Sequence, residues 1–399
     1  MMNLKLKLLA YFWLLLALPL WADAQSIGGK VVDDKTGEGV SYVSIGIVGS
    51  NEATITNENG EFVLKTTNFP ITIRLSHISY QQTEFKVSQQ DKNLELHLKQ
   101  ANNILKEVVI EPDKGLRILS AALKKAKEAA GKYVYANSFY RQLTTINGQP
   151  SEIYELFYDL KWSSESVKGW SAKQSRFATS IDNNQFSINN QSFLTFIFSG
   201  MQPPLQSDNG IRLNNLKHFN ISIERYIEQD EQDIAVITCH LKRPILGELN
   251  ISSTFYIGTK NFFIYRLENE ASNLPFYLSG VIFRRPTLLS TISTFRDVGD
   301  NIPVLETIVM QVNVFVSTGK KNFDLAASSL LNVYHIDPAL KSKRFKSLNA
   351  DVEDKKVIKS IHYDQEFWKD NPIVKQTALE DSFIRMMEGK SAFGTMVNP

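Results

Sequence analysis

The N-terminal part of the chain alternates apolar and polar residues in short runs separated by turn residues. In "VSYVSIGIV", Val43, Ile45 and Ile47 fall on one face of an extended segment. The same alternation recurs at Phe62 and Leu64, at Ile71, Ile73 and Leu75, and at Leu94, Leu96 and Leu98. Because successive side chains of a strand point to opposite faces, each run can bury one face. The pattern predicts an antiparallel β-sandwich over residues 25–111, with "NENG" as a hairpin turn.

Residues 112–134 follow a different period. In "EPDKGLRILSAALKKAKEAAGKY" apolar residues recur every three or four positions, which is typical of an amphipathic helix. Asp113 is a candidate N-cap and Gly131 a candidate helix stop. The predicted apolar stripe consists of Leu116, Leu119, Leu123 and Ala126. We expect this linker helix to pack on a sheet rather than on a membrane, since alanines dilute its apolar side.

Residues 135–336 return to strand-type patterns with polar turns. "EQDEQD" connects one pair of predicted strands, and Gly258–Asn261 forms the tip between "STFYIG" and "FFIYRLE". "STFRDVGDNIPVLETIVMQVNVFV" forms a third hairpin. Consecutive hairpins predict one large, meandering antiparallel sheet. The aromatic residues of "SFLTFIFSG" and "IYELFYDL" either fill its core or line an apolar cavity, and we favour a filled core.

Residues 337–399 are predicted to form a loop and a helix. Thr377 and Glu380 have the spacing of a capping box, and Phe383, Met386 and Met387 supply an apolar side for packing. The basic stretch "LKSKRFK" is soon followed by the acidic "DVEDKK". We interpret these two stretches as a solvated loop region.

The first 24 residues have the pattern of a secretory signal peptide. Lys5 and Lys7 precede an apolar run from Leu8 to Trp21, and Ala22-Asp23-Ala24 supplies small residues for cleavage before Gln25. The run is shorter than the roughly 20 residues needed to span a bilayer. No cysteine follows the site, which disfavours a lipoprotein anchor, and no later segment is apolar enough for a membrane helix. We therefore expect an exported protein, in the periplasm or associated with the outer membrane.

Charge and cysteine content argue against nucleic-acid binding and against cysteine chemistry. The 44 basic and 42 acidic residues nearly balance, which argues against nucleic acid as a partner. Cys239 is the single cysteine and cannot form an intramolecular disulfide. It lies in the alternating run "AVITCHL", so the adjacent His240 should point to the opposite face and cannot act as its base. His77 and His97 are interpreted as structural residues.

The segment "GKVVDDKTGEGVSYVSIGIVGSNEATITNENGEFVLK" resembles the carboxypeptidase-regulatory-like domain, a transthyretin-like β-sandwich found in envelope proteins of Bacteroidota. "LKEVVI", at Leu105–Ile110, is similar to the strand that closes many such domains. Val40 stands where the family commonly has Pro, and Ser79 where it usually has Gly. The resemblance implies a non-catalytic accessory domain. No histidine is followed three residues later by glutamate, as a zinc carboxypeptidase requires.

The second module carries a weaker resemblance. "GELNISSTFYIGTKNFFIYRLENE" is similar to an element of periplasmic lipoprotein-carrier-like half-barrels, and a helix followed by a broad sheet is also their order. "FYRQ" and "YDQEFWKDNPIVKQTALE" resemble segments that follow the regulatory-like domain in Bacteroidota proteins. In the carriers, the hollow of the sheet holds acyl chains, so the resemblance implies an apolar ligand as an alternative to a filled core.

The sequence contains no recognisable catalytic motif. Nucleotide-binding loops, nucleophile elbows, zinc-protease motifs and redox cysteine pairs are missing, and "TNENGE" lacks the carboxylates of a calcium loop. We therefore predict no catalytic, cofactor-binding or metal-binding residues. The predicted function is a non-catalytic binding or scaffolding role in the cell envelope, whose partner is an outer-membrane or periplasmic protein or an apolar ligand. The alternatives are a periplasmic carrier of a lipid in the second module and a hydrolase acting on glycan or peptide.

Overall fold

The structure, a computed structural model, confirms a mainly β chain with a few helices. It describes residues 25–50, 52–66, 68–104, 113–180, 186–188, 191–204, 209–229, 232–275, 281–299, 302–348, 354–370 and 373–393. The predicted leader and the predicted closing strand Leu105–Ile110 lie outside these ranges. In the described part of the chain, no helix combines the length and apolar character needed to cross a bilayer.

The first module, which we call the sandwich, consists of two small sheets packed face to face. Its strands are β1 (Gln25–Asp33), β2 (Ser44–Ile47), β3 (Ala53–Ile55), β4 (Glu61–Thr66), β5 (Ile71–Ser76), β6 (Thr83–Val87) and β7 (Leu94–Leu98). One sheet has the order β4-β1-β7 and the other β3-β2-β5-β6. Pairing is antiparallel except between β1 and β7, which run parallel. The predicted apolar faces meet in the core, where Ile45, Phe62 and Ile73 are fully buried.

The "NENG" turn has a different role from the predicted hairpin. It joins β3 to β4, and these strands belong to different sheets, so the turn carries the chain across the sandwich. Asn57 Oδ1 accepts hydrogen bonds from the backbone N–H groups of Asn59 (3.0 Å) and Glu61 (2.9 Å). Gly60 adopts a φ of +79°, which favours glycine. The hairpin prediction is wrong because local turn chemistry does not determine which sheet the next strand joins.

The second module is built on one twelve-stranded sheet. Its strands are β8 (Asn103–Ile104), β9 (Val134–Ile146), β10 (Gln149–Ser163), β11 (Ser166–Thr179), β12 (Phe219–Ile227), β13 (Ile234–Leu241), β14 (Asn250–Gly258), β15 (Ile264–Ser272), β16 (Ile282–Phe283), β17 (Leu288–Asp297), β18 (Pro303–Thr318) and β19 (Lys321–Ile336). The order is β11-β10-β9-β19-β18-β17-β15-β14-β13-β12-β8, with β16 paired to β18. The pairings are antiparallel, as predicted, and the predicted tip after β14 connects it to β15.

Helix α1 (Lys114–Glu128) confirms the predicted linker helix, with three corrections. Asp113 occupies the N-cap position, but its side chain makes no capping hydrogen bond. Leu116 is exposed, and Ile118 and Leu119 form the buried stripe with residues further along the helix. The helix ends before Gly131 because its last turn already closes at Ala129. The burial stripe therefore lies to one side of the stripe that the apolar spacing predicted.

Both faces of the large sheet are covered along β10. On the helix face, Tyr154, Leu156 and Tyr158 of β10 share one apolar core with the buried residues of α1 and of α2 (Gln191–Ile197), where the Phe196 ring lies 5.5 Å from that of Tyr158. On the opposite face, which we call the back face, Glu155 and Phe157 of the same strand are buried as well. This is why nearly the whole of β10 is buried although its sequence alternates.

The C-terminal strap (residues 354–370 and 373–393) covers part of the back face. It contains α3 (Asp354–Lys359), α4 (Gln365–Asp370) and α5 (Ala378–Gly389). The predicted capping box of Thr377 and Glu380 is present in both directions. Phe383 and Met387 are buried as expected, but Met386 is exposed and Ile384 takes its place.

The basic stretch before the strap is not only a solvated loop. Lys343 Nζ lies 2.6 Å from Oδ2 of Asp159, a buried carboxylate on the back face. Trp170 of edge strand β11 and Lys346 exchange two backbone hydrogen bonds of 3.0 Å. The stretch therefore protects part of the free edge of the sheet, which sequence charge alone does not indicate.

Candidate binding cleft between the sandwich and the large sheet

Among the described residues, the centre of the helix face is packed with side chains. Phe196 and Phe198, from the aromatic segment "SFLTFIFSG", are buried in the apolar core of this face. A cavity there lined by Ala122, Ala126 and Met201 measures about 10 Å³, which is no more than one water molecule needs. A wider depression of about 530 Å³ lies at the start of α1, but charged residues such as Lys114, Arg117 and Asp233 line it. In the described residues, the centre of the helix face is therefore filled, as favoured.

The back face has an apolar cleft of about 580 Å³ where it meets the sandwich. We call this space the inter-module cleft. One wall is formed by β3 and β4, the edge strands of the two sandwich sheets. The lining residues come from the sandwich, the large sheet and the strap: Glu52, Ala53, Thr54, Val63, Leu64, Lys65, Phe157, Lys173, Gln174, Tyr334, His335, Phe367 and Ile373.

Aromatic side chains form the floor of the cleft. The ring of Phe157 makes edge contacts with Phe139 (5.3 Å between ring centroids), Phe367 (5.0 Å) and Tyr334 (6.2 Å). Trp368 lies 5.3 Å from the same ring. Phe139 and Phe157 are direct cross-strand neighbours on β9 and β10, so the sheet register itself places the first pair. The result is a rigid apolar surface, which suits the body of a hydrophobic ligand.

One side of the cleft carries positive charge held on a buried carboxylate. Asp159 accepts hydrogen bonds from Asn137 (2.7 Å), Lys173 (3.1 Å) and Lys343 (2.6 Å). Burial alone would raise the pKa of Asp159, but these hydrogen bonds from Lys343, Lys173 and Asn137 lower it below the usual range. Lys173 and Lys343 thus share the single negative charge of Asp159. One positive charge therefore remains uncompensated in this group, beside the cleft. Burial and the charge of Asp159 raise the pKa of neighbouring Tyr334 to about 12.

The strap completes the cleft because its backbone is held by both modules. Thr54 Oγ1 of the sandwich donates to Ile373 O (2.6 Å), and Asn57 Nδ2 donates to Gln376 O (3.2 Å). Arg141 of the large sheet donates to Val374 O (2.9 Å). This segment of the strap is therefore fixed between sandwich and sheet, and its Ile373 lines the cleft.

A buried ion cluster anchors the strap to the back face. Glu155 faces Arg141 on one neighbouring strand and Arg176 on the other, in direct register. Arg141 Nε lies 2.6 Å from Glu155 Oε1, and Arg176 binds the second carboxylate oxygen. From α5, Glu380 and Glu388 each lie 3.3 Å from these arginines. Burial would raise the pKa of Glu155, but the charges of Arg176 and Arg141 hold it below its usual value.

A second, more polar cavity of about 330 Å³ lies between the sandwich and strands β15, β17 and β18. Glu306 enters it, with its side chain only 20 % exposed. Its carboxylate accepts from Ser44 Oγ (3.3 Å) and lies 3.8 Å from Arg296 Nε. Burial raises the pKa of Glu306, and the contacts with Arg296 and Ser44 are too weak to bring that pKa back to its usual value. His77 lies in the same cavity, where burial and then the charge of Arg266 lower its pKa to about 3.

Replacing Glu306 with glutamine should stabilise the protein at neutral and alkaline pH. Because the folded-state pKa is raised, the ionised carboxylate opposes folding, and wild-type stability rises as the pH falls through that pKa. The stability gained by Glu306→Gln should therefore decrease as the pH falls toward about 4.3, the ordinary pKa of a glutamate side chain. Thermal unfolding across this pH range measures it, with the exposed Glu38→Gln as control. A gain that is the same at every pH would contradict the assignment.

The cysteine and histidine residues considered as catalytic candidates from the sequence do not form a common site. Cys239 is buried in the core, where burial raises the pKa of its thiol, and His240 is exposed on the other face and contacts Ser252. His97 is exposed on β7. Among the described residues, no group of three or more His, Cys, Asp or Glu side chains is placed to hold a metal ion.

Comparison with known proteins assigns the first module. Residues 27–110 match the family model of the CarboxypepD_reg-like domain, so the predicted resemblance is confirmed for this part of the chain. No curated protein matches the sequence.

Solved structures also align with the chain. A putative outer membrane lipoprotein-sorting protein domain from Vibrio parahaemolyticus is 14% identical, with 62% of this chain and 97% of that chain covered and a TM-score of 0.26. A LolA superfamily protein from Nitrosomonas europaea is 12% identical, with coverages of 56% and 97% and a TM-score of 0.19. A cohesin–X-dockerin complex from Acetivibrio cellulolyticus is 17% identical, with coverages of 27% and 78% and a TM-score of 0.18. The predicted resemblance to lipoprotein carriers is thus found, at scores too low to carry a functional argument.

Proposed function

We propose that this protein is a non-catalytic binding protein of the cell envelope, and that it holds an apolar ligand in the inter-module cleft. The observation that carries the proposal is the contrast between the two faces of the large sheet. The centre of the helix face is filled, whereas the back face has an apolar cleft of about 580 Å³. This volume lies in the range of small-molecule sites, about 300–1,000 Å³.

The lining indicates the kind of ligand. The rings of Phe157, Tyr334 and Phe367 are already packed against one another, so they lose little conformational entropy on binding, and an aliphatic or aromatic body is favoured there. Lys173 at the edge supports an acidic group on the ligand, because a second lysine already neutralises Asp159. The predicted leader, residues 1–24, supports a place outside the cytoplasm.

Native mass spectrometry of the processed protein tests the proposal. We expect added mass from a co-purified ligand, or uptake of a supplied dansylated fatty acid that is recovered chemically unchanged. Ala53 lines the cleft from β3, so Ala53→Trp should fill the space and abolish binding. Ser88→Trp adds the same side chain at an exposed site of the sandwich and is the matched control.

The outcomes separate clearly. If neither added mass nor probe uptake is observed, or if Ala53→Trp binds as well as Ser88→Trp, the cleft is not the ligand site. A probe recovered as a cleaved product would contradict a non-catalytic role. Co-purification of a stoichiometric protein in place of a small molecule would replace the apolar ligand with a protein partner.

A further inference from the structure

The most exposed large apolar side chains of the described residues lie at one end of strands β13 to β17 of the large sheet. They are Ile245 (62 % exposed), Leu246 (101 %), Ile282 (61 %) and Leu288 (51 %). A contiguous exposed apolar patch on a folded protein marks an interaction surface. We call residues 242–249 and 281–288 the apolar rim.

The strand register brings the two parts of the rim together. Residues 242–249 connect β13 to β14, and Asn250 at the start of β14 pairs with Ser272 at the end of β15. Ser272 in turn pairs with Leu288 at the start of β17. Asn273, just after β15, links the two segments: its Nδ2 donates to Glu248 O (3.0 Å) and its backbone N–H donates to Thr287 O (3.0 Å). The rim is therefore one surface.

Basic residues flank the apolar side chains. Lys242 and Arg243 precede Ile245, and Arg284 and Arg285 follow Ile282, all of them exposed. Within the rim, Glu248 is the single acidic residue against these four cations. The rim therefore carries a net positive charge, whereas basic and acidic residues nearly balance in the whole chain.

The structure holds part of this basic group in place. Arg284 Nε donates to Ser317 Oγ (2.7 Å), and its backbone N–H donates to Phe315 O (2.9 Å). The guanidinium of Arg285 lies 4.8 Å from the centre of the Phe315 ring. Both arginines are thus fixed on β18 beside the apolar tips rather than free to fold away.

We propose that the apolar rim docks on a lipid bilayer surface that contains anionic lipids. Leu246 protrudes fully, so its surroundings are convex and cannot enclose a small molecule, whereas an aliphatic tip can enter the headgroup region of a bilayer. The four cations attract an anionic surface, and this attraction falls off within a Debye length. Apolar insertion and charge attraction together provide the two signals that stable membrane association needs. The inter-module cleft uses none of the rim residues, so this proposal stands apart from the proposed ligand.

Vesicle flotation of the processed protein tests the proposal. We expect the protein to float with vesicles of phosphatidylcholine plus phosphatidylglycerol and to bind pure phosphatidylcholine vesicles much more weakly. High salt should weaken binding, because the Debye length falls to about 3 Å at 1 M. Ile245→Asp/Leu246→Asp should lower the partition coefficient by about tenfold or more, as expected when two aliphatic side chains are withdrawn from the interface.

Two further variants make the test specific. Arg284→Glu/Arg285→Glu should abolish the preference for phosphatidylglycerol. Val48→Asp/Val298→Asp also adds two carboxylates at exposed apolar positions, but outside the rim, and should leave binding unchanged. The proposal is overturned if the wild type floats with neither vesicle, or if both aspartate pairs behave alike. A wild-type dimer in solution that Ile245→Asp/Leu246→Asp dissociates would instead assign the rim to a second copy of the chain.

Discussion

Replacing Glu155 with alanine is expected to lower the free energy of unfolding of the sheet module by about 3–5 kcal/mol, the usual cost of breaking a buried ion pair. The side chains of Glu155, Arg141 and Arg176 are each 5 % exposed or less. Without Glu155, two guanidinium groups remain inside the protein, and their nearest carboxylates are those of Glu380 and Glu388, at 3.3 Å. The variant should therefore also loosen the strap.

Tryptophan fluorescence during urea denaturation measures this effect in the right part of the molecule. Trp162, Trp170 and Trp368 lie in the large sheet or the strap, and the other two tryptophans belong to the predicted leader. Asp381→Ala is the control, because Asp381 pairs with Arg385 on the exposed side of α5, where such pairs contribute about 0.3–0.5 kcal/mol. Equal losses for the two variants would show that the buried cluster does not stabilise the strap.

Sequence periodicity predicted the strands and their inward faces in the sandwich well. Val43, Ile45, Phe62 and Leu96 are all buried where the alternation placed them. Each strand there has one buried face, so local alternation carries the information. The path between the sheets was not predictable in the same way, because the "NENG" turn satisfies its own hydrogen bonds whichever sheet β4 then joins.

The back face shows where sequence reasoning fails. Along β10 the polar residues Glu155 and Asp159 alternate with apolar ones, which favours a solvent-exposed face, yet both are buried. Their partners lie on other strands, in the basic stretch and on α5. Only the register of the sheet and the positions of that stretch and the strap bring the charges together. Charged residues can be buried when they are paired, and no local pattern distinguishes them from surface charges.

The inter-module cleft could not be predicted from the sequence either. Thr54, Phe157 and Ile373 are far apart in the sequence, and the cleft exists only because sandwich, sheet and strap meet. The aromatic segment around Phe196 could fill the core or line a cavity by its sequence, and it fills the core, as favoured. The resemblance to carriers pointed to a hollow, but it could not indicate which face of the sheet has the space.

Replacing Phe157 with alanine is expected to cost about 3–5 kcal/mol, the range for a buried phenylalanine whose neighbours cannot collapse into the void. Phe157 is 4 % exposed and touches aromatic rings from β9, β19 and α4, which are held by separate backbone elements. Urea denaturation monitored by tryptophan fluorescence should show the loss, since Trp368 lies against the same ring.

Two comparisons make this prediction specific. Phe157→Leu keeps an apolar side chain of intermediate size and should lose clearly less stability than alanine. Tyr135→Ala, on the same face of β9 but only half-buried against Phe345, should also lose less. If Phe157→Ala is no more costly than Tyr135→Ala, the floor of the cleft is not tightly packed. Loosely packed aromatic side chains would have to be ordered when a ligand binds, and this would lower the affinity. Binding in the inter-module cleft would then lack the preorganised surface on which it depends.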